Sequence, residues 1–185
     1  MKETLEMESA RIHKRGIENK NGGYRTLDKA LFAYPIRHYI SWQEEMQYEG
    51  ISYGAMGEQL SVLEMDEYTV CIGDVFRLGN AVIQVSQPGL AYLDAATPFR
   101  HIDFSRKIQK SGRTGWYFRV IEEGEAYSSS DMELMERYYP EWSVAACNEV
   151  MHVRKEDLRR AEALMACEPL GDSWKKALTK RVRGF

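Results

Sequence analysis

The residues best able to carry covalent or metal chemistry in this chain are three thiols, Cys71, Cys147 and Cys167, and four imidazoles. The thiols form no Cys-x-x-Cys pair and no Cys/His cluster, so their spacing gives neither a structural zinc site nor a redox dithiol. Each sits inside an apolar-periodic segment, where a free cysteine behaves as a small hydrophobe, and all three are expected to be buried. An odd count in a chain that shows no signal peptide argues against a disulfide framework. No Ser/His/Asp arrangement and no glycine loop of the P-loop or dinucleotide kind occurs. His38, beside Arg37, and His101, beside Arg100, read as surface residues.

Anion recognition is the other chemistry in view. Arg113 and Thr114 lie between Gly112 and Gly115 in a loop that follows an expected helix, and a guanidinium offers paired donors to a phosphate or pterin. Arg100 precedes the same helix and would add a second positive charge. Glu58, entering a strand next to Gly57, reads as a carboxylate that fixes backbone donors.

These residues need a scaffold, and 185 residues supply one core, or one core with a small appendage. The hydrophobic fraction of 44% against 29% charged residues is that of a packed globular protein, far from the signature of disorder. A net charge of −3 gives no general attraction to nucleic acid or anionic lipid. From Glu141 onward nine basic residues face seven acidic ones, an excess of only +2, so a nucleic-acid footprint is not expected. No apolar run approaches the ~20 residues that span a bilayer, which makes a cytoplasmic location the expectation.

Periodicity then divides the chain. Residues 1–27 read as an irregular arm with a short strand around Ala10 to Ile17. A buried strand over Ala30 to Tyr34 is closed by Pro35, and a helix over Ile36 to Tyr48 presents Ile36, Tyr39, Ile40, Trp42 and Met46 as its apolar stripe. Short strands are expected over Gln59 to Leu63, Tyr68 to Ile72, Val75 to Leu78, Ala81 to Ser86 and Trp116 to Ile121, with a Gly79-Asn80 hairpin turn. A helix over Asp103 to Lys110 stops near Gly112, and Met132 to Arg137 is strand-like. Three helices follow: Val144 to Met151 capped by Ser143, Lys155 to Cys167, and Ser173 to Arg183 capped by Asp172. The fold class is therefore α+β, with a barrel or sandwich of strands over 1–137, which the resemblance described next implies to be β-barrel-like, and a three-helix C-terminal domain over 138–185.

Four segments carry a resemblance. Met56-Gly57-Glu58-Gln59-Leu60, Ile72 to Gly79 (IGDVFRLG), Val85-Ser86-Gln87-Pro88 and Ser111 to Tyr117 (SGRTGWY) stand in the order and spacing of the MOSC domain. The tail, through Trp142-Ser143-Val144 and Ser173-Trp174-Lys175, is similar to the three-helix extension of a bacterial subgroup of that family. The resemblance implies a barrel-like fold that binds the molybdenum cofactor and reduces N-hydroxylated compounds with electrons from a redox protein partner. It also brings molybdenum-ion and pyridoxal phosphate binding as expectations. Lys29, Gln87, Arg100, Arg113 and Thr114 are then the cofactor-binding candidates, in a pocket for an anionic cofactor or small molecule.

In that family the segment after Ser-Gln-Pro reads Arg-x-Pro-Cys, and the cysteine thiolate is a soft ligand suited to molybdenum. Here Gly89 stands at the arginine position, Tyr92 at the cysteine position and Asp94 at a usual lysine position. A phenol with a pKa near 10 is a poor ligand at neutral pH, so Tyr92 is a doubtful catalytic candidate and no residue is assigned to a metal. Upstream, only Asp28-Lys29-Ala30 survives of the family's glycine-rich approach, with Asn21-Gly22-Gly23 as a partial substitute. Two readings stay open. One is a MOSC-type, molybdenum-dependent oxidoreductase with cofactor binding weakened or lost. The other is a non-catalytic interaction or regulatory module on the same scaffold, with the tail meeting a protein partner.

Overall fold

The computed structural model describes residues 9–17, 26–47, 50–89, 102–128 and 130–184. Its centre is a curled half-barrel of six strands. β3 (Leu31–Pro35), β4 (Leu60–Val62), β5 (Val75–Leu78), β6 (Ala81–Pro88), β7 (Trp116–Glu122) and β9 (Met132–Glu136) lie in the order β4-β3-β7-β6-β5-β9. Among these strands only β3 and β4 run parallel, and the long connection that a parallel pair requires contains a helix, α1 (Arg37–Met46). A second sheet, β2-β1-β8, is built from β1 (Ser9–His13), β2 (Gly16–Ile17) and β8 (Gly124–Tyr127). The expected irregular arm is thus partly ordered: residues 9–17 form a hairpin that pairs with β8.

β3 is buried along its whole length because α1 covers one face and the half-barrel core the other. Pro35 ends the strand rather than starting the helix, at a position where a missing N–H costs no ladder bond. On α1 the buried residues are His38, Tyr39 and Trp42, while Ile40 is 55% exposed. With α2 (Ile102–Ser111), α1 closes a second core of Phe32, Tyr34, Tyr39, Trp42, Ile51, Met56, Phe104 and Ile108. Gly79, at φ 61°, makes the two-residue turn between β5 and β6 that its sequence position demands.

Tyr68 to Ile72 is not a strand. The Asp66 carboxylate accepts the backbone N–H groups of Tyr68 and Thr69, both at 2.8 Å, and folds the segment into a turn. Only Cys71 makes a bridge, to Ser143. Asp74, fully buried, then closes the turn: it accepts Cys71 N–H at 2.8 Å and the Arg137 guanidinium at 2.6 and 2.8 Å.

The tail starts with α3 (Val144–Asn148), capped as expected by Ser143, whose hydroxyl accepts Ala146 N–H at 3.1 Å. It continues as a π-helical turn (Glu149–Val153), then α4 (Leu158–Met165), capped by Asp157, and α5 (Asp172–Arg183). Its apolar side chains, among them Trp142, Val144, Val150, Leu164 and Leu178, belong to the same core as Val70, Ile72, Ile83 and Val85 of the half-barrel. Leu158, at the start of α4, is 44% exposed, while Ala161 and Leu164 are buried.

Candidate functional site

Two loops would have to make a site at the end of the half-barrel: the one that leaves β6 and the one that enters β7. Backbone pairing joins them, since Gly89 N–H donates to Gly115 O at 2.8 Å and Pro88 sits opposite Trp116. The 112–115 loop is pinned from two further sides. Glu67, 2% exposed, accepts Gly115 N–H at 2.8 Å with one carboxylate oxygen and meets His38 Nε2 at 2.8 Å with the other. Tyr34 donates its hydroxyl to Arg113 O at 3.1 Å and accepts Trp42 Nε1–H at 2.8 Å. Burial pushes the Tyr34 phenol far up, with Glu67 adding to the effect, so it serves as a neutral donor. His38 is therefore a buried hydrogen-bonding residue, contrary to the surface reading.

The candidate residues are engaged in this framework. The Arg113 guanidinium stacks 4.6 Å over the Trp42 ring and pairs with Glu45 at 2.7 Å. Thr114 is wholly buried, accepts Asn148 Nδ2–H from the tail at 2.8 Å and donates to Gly115 O at 3.0 Å. Gln87 accepts the Ser173 hydroxyl at 2.8 Å and is 3% exposed. Lys29 is half-buried with its ammonium 5.6 Å from the Tyr117 ring. Glu58 has the structural task read from its position: it accepts Gly54 N–H at 2.8 Å and the Tyr39 hydroxyl at 2.6 Å. Tyr92 and Arg100, with His101, Asp94 and Asn21 to Gly23, lie outside the described residues.

Two of the cavities formed among the described residues bear on this question. One, of about 410 Å³, lies between the end of α2 and α3. The larger, of about 1350 Å³, opens between the β4 edge and the β1/β8 sheet. None of Lys29, Gln87, Arg113 and Thr114 lines either one. Among the described residues of the large cleft the single guanidinium, Arg11, is paired with Glu125 at 3.2 Å, while Glu64 and Asp131 add further negative charge. Such a wall does not complement a phosphorylated pterin or pyridoxal phosphate.

Sulfur donors are equally withdrawn. Cys71, Cys147 and Cys167 are at most 3% exposed, where half-barrel and tail meet. Burial raises all three thiols: Cys147 well above its ordinary value, Cys167 to about 11 with help from Glu141, and Cys71 with help from Asp74. Among the described residues no three His, Cys, Asp or Glu side chains cluster as a metal site.

The Gly89 backbone tests the family's arginine position directly. A Cβ there would lie 2.4 Å from Phe32 Cε2 and 2.5 Å from Thr114 O, so this position holds no side chain without moving the backbone of the neighbouring loop. The described residues do not fit a thiolate-held, phosphate-bearing cofactor.

Family models match in two blocks, the MOSC domain over residues 17–132 and the YiiM-like 3-alpha helix domain over residues 142–185. The chain belongs to the MOSC domain family. It is 38% identical over 154 residues to YflK of Bacillus subtilis (strain 168), covering 83% of this chain and 69% of that protein. Protein YiiM of Escherichia coli (strain K12) is 33% identical over 156 residues, with 83% and 69% covered. A Gibberella moniliformis protein named "Reductase" is 32% identical over 146 residues, covering 77% of this chain but 26% of that protein. Among solved structures, YiiM from Geobacillus stearothermophilus superposes with a TM-score of 0.83 at 28% identity, over 95% of this chain and 85% of that one. No helix among the described residues of this MOSC-family chain is long and apolar enough to cross a membrane.

Proposed function

We propose that this MOSC-family protein keeps the scaffold of a cofactor-dependent reductase but not a thiolate-held molybdenum centre, so that reduction of N-hydroxylated compounds is weakened or lost. The observation that supports this reading is the position of the three cysteines, all sealed in the seam between half-barrel and tail. A cysteine ligates a metal as its thiolate and must face the space the metal occupies; these three sulfurs are packed in the core instead, and burial disfavours the thiolate. Tyr92, at the family's cysteine position, offers a phenol in its place.

Titration of the native protein with a chromogenic disulfide at neutral pH tests it: no fast-reacting thiol is expected, and three appear after unfolding. One thiol reacting at the rate of a free small thiol in the native state would return a sulfur ligand to the site and overturn the reading. A redox protein partner belongs to the active-reductase reading alone.

A further inference from the structure

Helix α5 has no capping side chain of its own. Gly171 occupies the N-cap position and Asp172, expected as the cap, lies inside the first turn. The leading N–H groups of a helix need acceptors from somewhere, and here the half-barrel supplies them. Asp172 N–H donates to Asp28 Oδ2 at 2.9 Å and Gly171 N–H donates to Ser86 O at 2.8 Å. The Ser173 hydroxyl donates to Gln87 Oε1 at 2.8 Å. The approach is close: a Cβ on Gly171 would lie 2.4 Å from Gln87 Oε1, so a side chain there would displace the end of Gln87.

Asp28 is itself held in place. Its Oδ1 accepts Arg119 Nε–H at 3.0 Å and Nη2–H at 2.7 Å, while Arg119 Nη1–H reaches Gln84 Oε1 at 3.0 Å. One carboxylate therefore faces a guanidinium with one oxygen and the positive end of a helix with the other. At the far side of the tail, Ala145 N–H donates to Glu67 O at 2.7 Å and Ser143 bridges Cys71. The shared apolar core lies between these two attachments.

We infer that the Asp28 carboxylate caps the N-terminus of α5 from 144 residues away, and that half-barrel and tail consequently open as one unit. In this arrangement the tail is a structural wall of the half-barrel, and its inner face is not available to a protein partner. Gln87, retained from the Ser-Gln-Pro motif, and Asp28, retained from the approach to β3, serve the same joint.

Native-state hydrogen exchange on the intact chain tests the inference. The Gly171 and Asp172 amides are expected to exchange with the same denaturant dependence as the β6 and β7 amides. Exchange of those two amides by local opening, while β6 and β7 stay protected, would overturn it. In Asp28→Ala, exchange at Asp172 to Trp174 is expected to rise by about 3- to 30-fold, the range for loss of a capping side chain. An unchanged rate contradicts the assignment, and if Asp28→Ala does not fold the wild-type measurement decides alone.

Discussion

Replacing Gly89 by arginine, the residue its position has in the family pattern, is expected to destabilise the protein by about 3 kcal/mol or more, at the upper end of overpacking effects. The cause is local. The first carbon of any side chain meets the Phe32 ring and the Thr114 carbonyl at 2.4 and 2.5 Å, and the carbonyl belongs to a loop fixed by Glu67 and Tyr34. Phe32→Ala in the same chain relieves the ring contact but not the carbonyl, so it recovers only part of the loss. Thermal unfolding reads the effect as a fall of roughly 6–12 °C. A melting temperature like that of the parent would mean that an arginine slot remains open beside β6, and the site could be rebuilt by Gly89→Arg with Tyr92→Cys.

Glu67→Ala is expected to be at least as damaging, by about 3–5 kcal/mol, because it strands two buried partners at once. His38 Nε2 loses its acceptor and Gly115 N–H loses its own, and both are shielded from water by Tyr34 and the α1 helix. The second core and the 112–115 loop should loosen together, which near-ultraviolet circular dichroism of Trp42 and Trp116 would report alongside the lower melting temperature. Stability within a few tenths of a kcal/mol of the parent would show that water replaces the carboxylate and that the loop is not pinned as described.

Much of the fold is legible because the relevant signals are local. Gly79-Asn80 sets its hairpin, Ser143 its cap, and Gly112 ends α2 with a φ of 74°. The four motif segments also point to the family that the comparisons show. What is not legible depends on partners far away in sequence. Tyr68 to Ile72 has the composition of a strand, yet the Asp66 carboxylate takes its N–H groups first. Glu67, in the acidic stretch Glu64 to Glu67, has no local signal of its role, because its partners His38 and Gly115 are brought to it by α1 and the β7 entry. Asp28 stands in the sequence as one residue of the surviving Asp28-Lys29-Ala30 segment, whereas its partners, Arg119 and α5, are far away in the chain.

The candidate site divides the same way. Arg113 and Thr114 have the chemistry of an anion loop, and the glycines around them take positive φ as that loop needs. Their side chains are nevertheless committed, one to Trp42 and Glu45 and the other to Asn148 of the tail. Gln87 is similarly turned toward α5. A motif records which residues stand together in the chain, and here packing of α1 and of the tail decides what they touch.

The central proposal is that this MOSC-family chain does not hold a thiolate-bound molybdenum centre. The molybdenum-to-protein ratio of the full chain, purified from a host that makes the cofactor, tests it most directly. A ratio far below stoichiometric is expected for this chain; stoichiometric molybdenum that survives gel filtration would contradict the account and point to Tyr92 or another oxygen donor as its ligand.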